Sequence, residues 1–168
     1  MYYGESTTRL DEKGRITLPA KMRQTMDVHK HSDWYMTRGY DHCIFLYPHP
    51  EWIKIADQLG QFSPMDPRAL DFRRLLFGSV AEVSPDRQGR IPMPPYLRDH
   101  AGLDLKEEAV VVGVGEHIEI WSARRWRDFR ESKDEEYKAM AERMCVDMVS
   151  GNNAEREQGA QAEEGVRT

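Results

Sequence analysis

Residues 11–23 read D-E-K-G-R-I-T-L-P-A-K-M-R, and residues 86–98 read D-R-Q-G-R-I-P-M-P-P-Y-L-R. Six of these thirteen positions are identical at an offset of 75 residues, where average residue usage would give about one. Leu18 opposite Met93 and Met22 opposite Leu97 are conservative exchanges. His42 then falls opposite His117 and Phe45 opposite Ile120, and Trp52 meets Trp126 after a slip of one residue. A repeat of this kind restricts the fold to two copies of one small unit, about 45 residues each, that share or stack their cores.

Each copy has a local physical reading. Asp11 at the first turn position and Gly14 at the fourth suit a type I turn closed by a left-handed glycine. Leu10 and Ile16-Thr17-Leu18 flank that turn and predict a short hairpin, with Arg15 just past its bulge. Asp86 and Gly89 repeat the arrangement ahead of Arg90. Pro19 supplies the first helical position for a short helix over residues 20–24. In the second copy Pro95 starts the helix and Gly102 sits where a left-handed cap ends it.

The remaining apolar runs read as strands: residues 34–37 and 43–46 in the first copy, residues 109–112 and 118–120 in the second. Between the copies, Pro50 opens a helix carrying Trp52, Ile55, Ala56 and Leu59 on one face and closed by Gly60. Asp66-Pro67 caps a second helix reaching Phe77. Trp126, Phe129, Tyr137, Met140, Met144 and Met148 predict a long amphipathic C-terminal helix, and the Gly/Glu/Gln-rich residues from 150 onward predict disorder. The fold class is therefore mainly β with α, an α+β chain. Its expected parts are a first module over 6–52, a helical connector over 53–79, a second module over 80–124, a helix over 125–149 and an acidic tail over 150–168.

The 168 residues carry a net charge of −5, which argues against nucleic acid until its distribution is considered. Residues 131–168 hold ten acidic and five basic side chains, so the excess lies wholly there. Residues 9–30 and residues 68–98 each hold six basic and three acidic groups. A nucleic-acid footprint is a local patch and tolerates an acidic total. The Met-Tyr-Tyr-Gly-Glu start lacks signal-peptide character and no apolar run reaches about 20 residues, so a cytoplasmic protein with no membrane partner is expected. Cys43 and Cys145, distant and outside any C-x-x-C pattern, fit small hydrophobes in a reducing compartment better than a disulfide.

The two D-x-x-G-R turns, each followed by proline and a short helix, resemble the SpoVT/AbrB-type DNA-binding domain, and two such modules in one chain resemble the MraZ family. Phe72-Arg73-Arg74, Gly113-Val114-Gly115 and Ile118-Glu119-Ile120-Trp121 extend the likeness over residues 1–130. The resemblance implies swapped-hairpin modules paired about a pseudo-twofold axis into a double-module barrel, with connecting helices and a C-terminal helix. It also implies ring-shaped homo-oligomers associated with the nucleoid. It further implies sequence-specific binding of double-stranded DNA at short direct repeats upstream of a division and cell-wall gene cluster, with repression as the outcome. The DNA-contacting role falls on Arg15 and Arg90 by this likeness. Arg87 and Gln88 stand where Glu12 and Lys13 stand, so the two loops need not contact DNA alike.

The chemistry suits that role. An arginine beside a turn offers a planar, permanently charged fork to a phosphate or a guanine edge. Lys13 and Arg87 are expected phosphate contacts, with Arg9 a weaker one. Asp11 and Asp86 would repel phosphate, which assigns them to the turn with Gly14 and Gly89, accepting loop N–H bonds or orienting the nearby arginine. Arg73 and Arg74 either continue the basic surface or pair with acidic groups between subunits. One module offers only two or three cations, so many linked copies are needed for tight binding.

Other chemistries have weaker claims. His29, His31, His42 and His49 lack a metal-ligand spacing. His42-Cys43 is no nucleophile-and-base pair, because adjacent strand residues face opposite ways. The chain offers no convincing nucleophile, paired acids or phosphate-binding glycine loop, so no enzyme, small-molecule substrate, cofactor or metal is expected. The competing function is an antitoxin-like interaction module whose C-terminal segment wraps a partner protein.

Overall fold

The computed structural model describes residues 1–29, 33–63 and 66–145. The expected tail over 150–168, residues 146–149 of the expected C-terminal helix and the His31 side chain lie outside the described residues. The chain divides into two compact units, Met1–Trp126 and Arg127–Thr168.

The first unit is a mixed α/β fold on antiparallel strands. Its strands are β1 (Tyr2–Arg9), β2 (Arg15–Thr17), β3 (Trp34–Arg38), β4 (Ile44–Pro48), β5 (Ala81–Val83), β6 (Arg90–Pro92), β7 (Glu108–Gly115) and β8 (His117–Ser122). Its helices are α1 (Ala20–His29), α2 (His49–Gly60), α3 (Pro67–Phe77), α4 (Pro95–Ala101) and the start of α5 (Ala123–Asp134). Six strands form one sheet in the order β1-β7-β8-β4-β3-β5, and β2 pairs with β6 as a separate two-stranded ribbon. Exchanging the repeats maps this order onto itself: β1 with β5, β7 with β3, β8 with β4, and β2 with β6.

The repeat explains the register. In the ribbon, Ile16 pairs with Ile91, its own counterpart, flanked by Arg15 opposite Pro92 and Thr17 opposite Arg90. In the sheet, Ile44 pairs with Ile120 and Leu46 with Ile118, around Phe45 opposite Glu119. Phe45 thus takes the place of Glu119, not of Ile120. The one-residue slip occurs earlier than the tryptophans indicate, in the connection between β3 and β4. There a 3-10 turn over Tyr40–His42 occupies more chain than the tight reversal between β7 and β8.

The sequence expectation of a hairpin joining Leu10 to residues 16–18 is corrected. The turn itself forms, with the Asp11 N–H donating to Arg15 O at 3.0 Å and the Gly14 N–H to Asp11 O at 3.1 Å. The flanking segments then diverge: β1 joins β7 over its whole length, and β2 joins β6 of the other copy. Ile16 and Ile91 are both fully buried where β2 pairs with β6, so the cross-copy pairing takes both side chains out of water.

One core fills the space between ribbon, sheet and short helices. Leu10, Ile16, Leu18, Met22, Trp34, Met36, Ile44, Leu46 and their second-copy counterparts Ile91, Met93, Leu97, Val111, Ile118 and Ile120 form a single cluster. Because strand side chains alternate, β4 sends Ile44 and Leu46 into this core and Phe45 and Tyr47 to the opposite face. On that face α2 and α3 cover the sheet through aromatic contacts. Trp52 stacks on Tyr35 at 5.7 Å between ring centres and meets Phe77 edge-on at 5.6 Å.

Helix ends follow local chemistry. Asp66 accepts the Arg68 N–H at 2.9 Å and Pro67 occupies the first helical position of α3. Gly102 closes α4 in the left-handed region at φ 61°. The first-copy helix is longer than expected, running to His29. The second unit is helical through Asp134, turns at residues 135–136 and is helical again over 137–145, so the expected single C-terminal helix is interrupted. Lys133–Glu136 and Lys138–Glu142 ion pairs at 3.8 and 3.9 Å accompany that turn. No described helix is long and apolar enough to cross a membrane.

Candidate nucleic-acid interface

The ribbon brings the two D-x-x-G-R turns side by side. Leu18 donates its backbone N–H to Gly89 O at 3.0 Å, and Met93 donates to Gly14 O at 2.9 Å. Each turn is thus fastened by the strand of the other copy. Both turn glycines are buried and left-handed, Gly14 at φ 69° and Gly89 at φ 74°, a conformation that costs an L-residue about 1–2 kcal/mol.

Asp11 is saturated by its own loop. Oδ1 accepts the N–H groups of Lys13 and Arg15, both at 2.9 Å. Oδ2 accepts Arg15 Nε and Nη2, both at 2.7 Å. Asp86 repeats the set with Gln88 N–H at 2.9 Å, Arg90 N–H at 3.0 Å, and Arg90 Nε and Nη2 at 2.7 Å. Hydrogen bonds from the Arg15 and Arg90 backbones, then from their side chains, hold both carboxyls below the usual aspartate range. Both roles considered for Asp11 and Asp86, closing the turn and orienting the arginine, are geometrically present.

This changes how Arg15 and Arg90 present themselves. Each guanidinium is half-buried and held along its Nε–Nη2 edge, which leaves Nη1 as the outer group. Arg15 Nη1 lies 4.0 Å from Asp86 Oδ2, so the two pairs are neighbours across the ribbon. A fork held this way loses little side-chain freedom on meeting a ligand. Its charge, however, is largely offset by its aspartate.

Lys13 and Arg87 are exposed on the loop tips. Neither has a carboxylate within 4.0 Å among the described residues, whereas Glu12 is engaged by Lys106 at 3.0 Å. Arg9 stands apart, at the end of β1, paired with its ladder partner Glu108 at 3.2 Å.

Two further arginines belong to this surface and escaped the sequence reading. Arg23 of α1 lies against Gly89, and Arg98 of α4 lies against Gly14, with its Nε 3.1 Å from where a Cβ would stand. Arg23 Nε donates to Leu18 O at 3.1 Å, and Arg98 Nε is buried with no partner among the described residues. Neither has a carboxylate within 4.0 Å among the described residues. The signal was available: Arg23 and Arg98 are the last of the six identities in the repeat. Counting Asp11, Glu12 and Asp86 against Lys13, Arg15, Arg23, Arg87, Arg90, Arg98 and Lys106, which pairs with Glu12, this surface carries four surplus positive charges. The surplus resides on Lys13, Arg87, Arg23 and Arg98.

Other sequence candidates do not converge here. Cys43 is buried, and burial pushes its thiol far above the usual range, so it packs as a small apolar group. Cys43 and Cys145 are both free. The described residues contain no group of three His, Cys, Asp or Glu arranged to hold a metal.

The chain matches a family model described as "MraZ protein, putative antitoxin-like" twice, over residues 1–75 and 76–148. It is 41% identical over 146 residues to a Syntrophomonas wolfei protein named transcriptional regulator MraZ, covering 86% of this chain and 96% of that one. Like-named proteins of Frankia alni and Thermomicrobium roseum are 39% and 40% identical, covering 89% and 87% of this chain and 100% and 99% of theirs. Two tandem matches over most of the sequence, together with relatives matched along nearly their whole length, make this chain a member of the MraZ family of transcriptional regulators.

Proposed function

We propose that this protein is a sequence-specific DNA-binding transcription regulator that represses by occupying short direct repeats upstream of a division and cell-wall gene cluster. The observation that carries the reading is the pair of matching Asp–Arg turns, side by side and fastened to each other by reciprocal backbone bonds. Arg15 and Arg90 read base edges or grip phosphates through the groups their aspartates leave open. Lys13, Arg87, Arg23 and Arg98 supply the attraction to the backbone, and Arg9 contributes at the margin. The reciprocal pairing of β2 with β6 and the self-mapping strand order support a swapped-hairpin double module about a pseudo-twofold axis. Ring-shaped homo-oligomers would present many such turn pairs to successive DNA repeats and raise avidity by about 10²–10⁴. A cytoplasmic, nucleoid-associated location follows from this role.

The test is the double variant Arg15→Ala/Arg90→Ala, assayed on DNA carrying the repeats upstream of the protein's own gene. Retardation is lost while the oligomer, measured by light scattering, is retained. Undiminished binding refutes the assignment of these two arginines.

The antitoxin-like reading is favoured by a separate observation, the second unit's exposed Tyr137 and Met144. It requires a stoichiometric partner protein that co-purifies and is lost on deleting residues 131–168.

A further inference from the structure

Away from the paired turns, the ends of β3 and α3 and one side of α4 enclose an open cleft of about 290 Å³, lined by Arg38, Arg74, Ser79, Tyr96, Leu97 and His100 among others. We propose that this cleft binds a phosphate group, carried by a free phosphorylated small molecule or by a nucleic-acid backbone, between the guanidinium groups of Arg38 and Arg74 and beside the Tyr96 ring. The inference does not depend on the roles assigned to Arg15 and Arg90.

Charge is the first support. Arg38 is half-buried, and its Nη2 lies 3.1 Å from His100 Nδ1. A guanidinium only donates, so Nδ1 accepts and the ring proton sits on Nε2, which donates to Gly39 O at 3.1 Å. The imidazole is therefore neutral, and burial of the ring, followed by the nearby Arg38, His42 and Arg125, lowers its pKa. Arg38 thus spends one N–H on a neutral acceptor and keeps its whole charge. Arg125, also half-buried, rests against Gly102, 3.1 Å from where a Cβ would stand. Neither Arg38 nor Arg125 has a carboxylate within 4.0 Å among the described residues. Among the described residues Arg74 has only Asp71, at 3.0 Å, in an exposed surface pair of little strength. Partly desolvated guanidinium groups without counter-charge are costly, and a bound anion offsets that cost.

Backbone strain is the second support. Asp41 and His42 are consecutive non-glycine residues in the left-handed region, at φ 54° and 61°. Strained positions of this sort gather at ligand sites. The twist brings His42 Nδ1 to 3.3 Å from His100 O and the two imidazole rings to 5.3 Å between centres, so the strained pair lies behind His100, which lines the cleft. A phosphate suits the cleft better than a carboxylate because two arginines line one opening, and its several oxygens can engage more than one guanidinium. Tyr96 is half-exposed at the rim and offers a flat face to whatever the phosphate is attached to. Helix α4 thus contributes Tyr96 and His100 to the cleft and Arg98 to the turn pair.

The experiment follows the histidine ring resonances of the full-length protein by NMR during titration with inorganic phosphate, against sodium chloride at equal ionic strength. The expected result is a saturable shift of the His100 ring signals, with affinity reduced about tenfold or more in Arg38→Met and in the surface variant Arg74→Gln, which leaves the core untouched. A response no different from chloride, or a saturable one unchanged in Arg74→Gln, overturns the proposal. Adding a short duplex separates the sources. Displacement of phosphate from His100 by the duplex assigns the site to the DNA backbone, and undisturbed phosphate binding beside bound duplex assigns it to a free ligand.

Discussion

Arg23 of the first repeat lies across Gly89 of the second, so close that a Cβ at residue 89 would collide with the arginine's aliphatic stem. The reciprocal contact, Arg98 across Gly14, is looser, with the guanidinium rather than the stem nearest. The glycines therefore answer to two demands at once, a left-handed backbone and an arginine from the other copy.

Unequal costs follow for alanine at the two turns. Both substitutions force an L-residue to positive φ, at about 1–2 kcal/mol each. Gly89→Ala must also displace a packed stem, while Gly14→Ala only presses on the guanidinium end of Arg98, with its Nε 3.1 Å away. Urea unfolding is expected to show Gly89→Ala as the more destabilised variant, with Arg23→Ala recovering part of the loss. Equal losses, or no recovery, would remove the packing argument.

Acid sensitivity should map to the turn aspartates. Their folded pKa values lie below the unfolded value of about 3.9, chiefly through hydrogen bonds from Arg15 and Arg90. A depressed carboxyl contributes stability that is complete above the unfolded pKa and disappears as pH falls through the folded one. Unfolding free energy measured between pH 2 and about pH 5 should therefore decline towards acid, and decline less in Asp11→Asn/Asp86→Asn. An unchanged slope in the double variant would show that other groups control the transition.

Salt dependence should report the loop cations separately from the arginines in the motif. Each phosphate contact contributes about 0.9 to the slope of log affinity against log salt. Lys13→Ala or Arg87→Ala should lower that slope by about one per bound module and weaken all DNA sequences alike. Arg15→Ala should instead erode discrimination between the operator and unrelated duplex. Fluorescence anisotropy at several salt concentrations distinguishes the two patterns.

The ribbon core offers a stability test. Ile16 is fully buried against Ile91 at the crossing of the copies. Ile16→Ala should cost about 2–5 kcal/mol. Because both turns hang on this pairing, hydrogen exchange should accelerate at the Leu18 and Met93 amides together. Acceleration at only one would mean that the turns are held independently.

Much of this arrangement was legible in the residues. The repeat, the two turns with their glycines, the Asp66-Pro67 start of α3 and the Gly102 stop of α4 all rest on local backbone chemistry that a short window contains. Strand partners were not legible, because a three-residue strand such as Arg15–Thr17 carries no record of whether its neighbour is near or 75 residues away. β1 was missed because Tyr-Tyr-Gly-Glu-Ser-Thr-Thr-Arg lacks apolar alternation, and its pairing with the valine-rich β7 makes it a strand. At the candidate site, the motif residues stood out by identity. Arg23 and Arg98 shared that identity but sat on helices, where an exposed arginine ordinarily signifies nothing. Their relation to Gly89 and Gly14 exists only once the two copies are folded together.

The exchange of amide and carbonyl between Leu18 and Gly89, and between Met93 and Gly14, has an implication for ancestry and engineering. A gene encoding either half alone would yield a polypeptide with an unmet donor and acceptor at its turn. Such a half is obliged to marry another of its kind. Carrying both halves in one chain removes that dependence on concentration, and it lets the two turns differ, with Glu12-Lys13 in one and Arg87-Gln88 in the other.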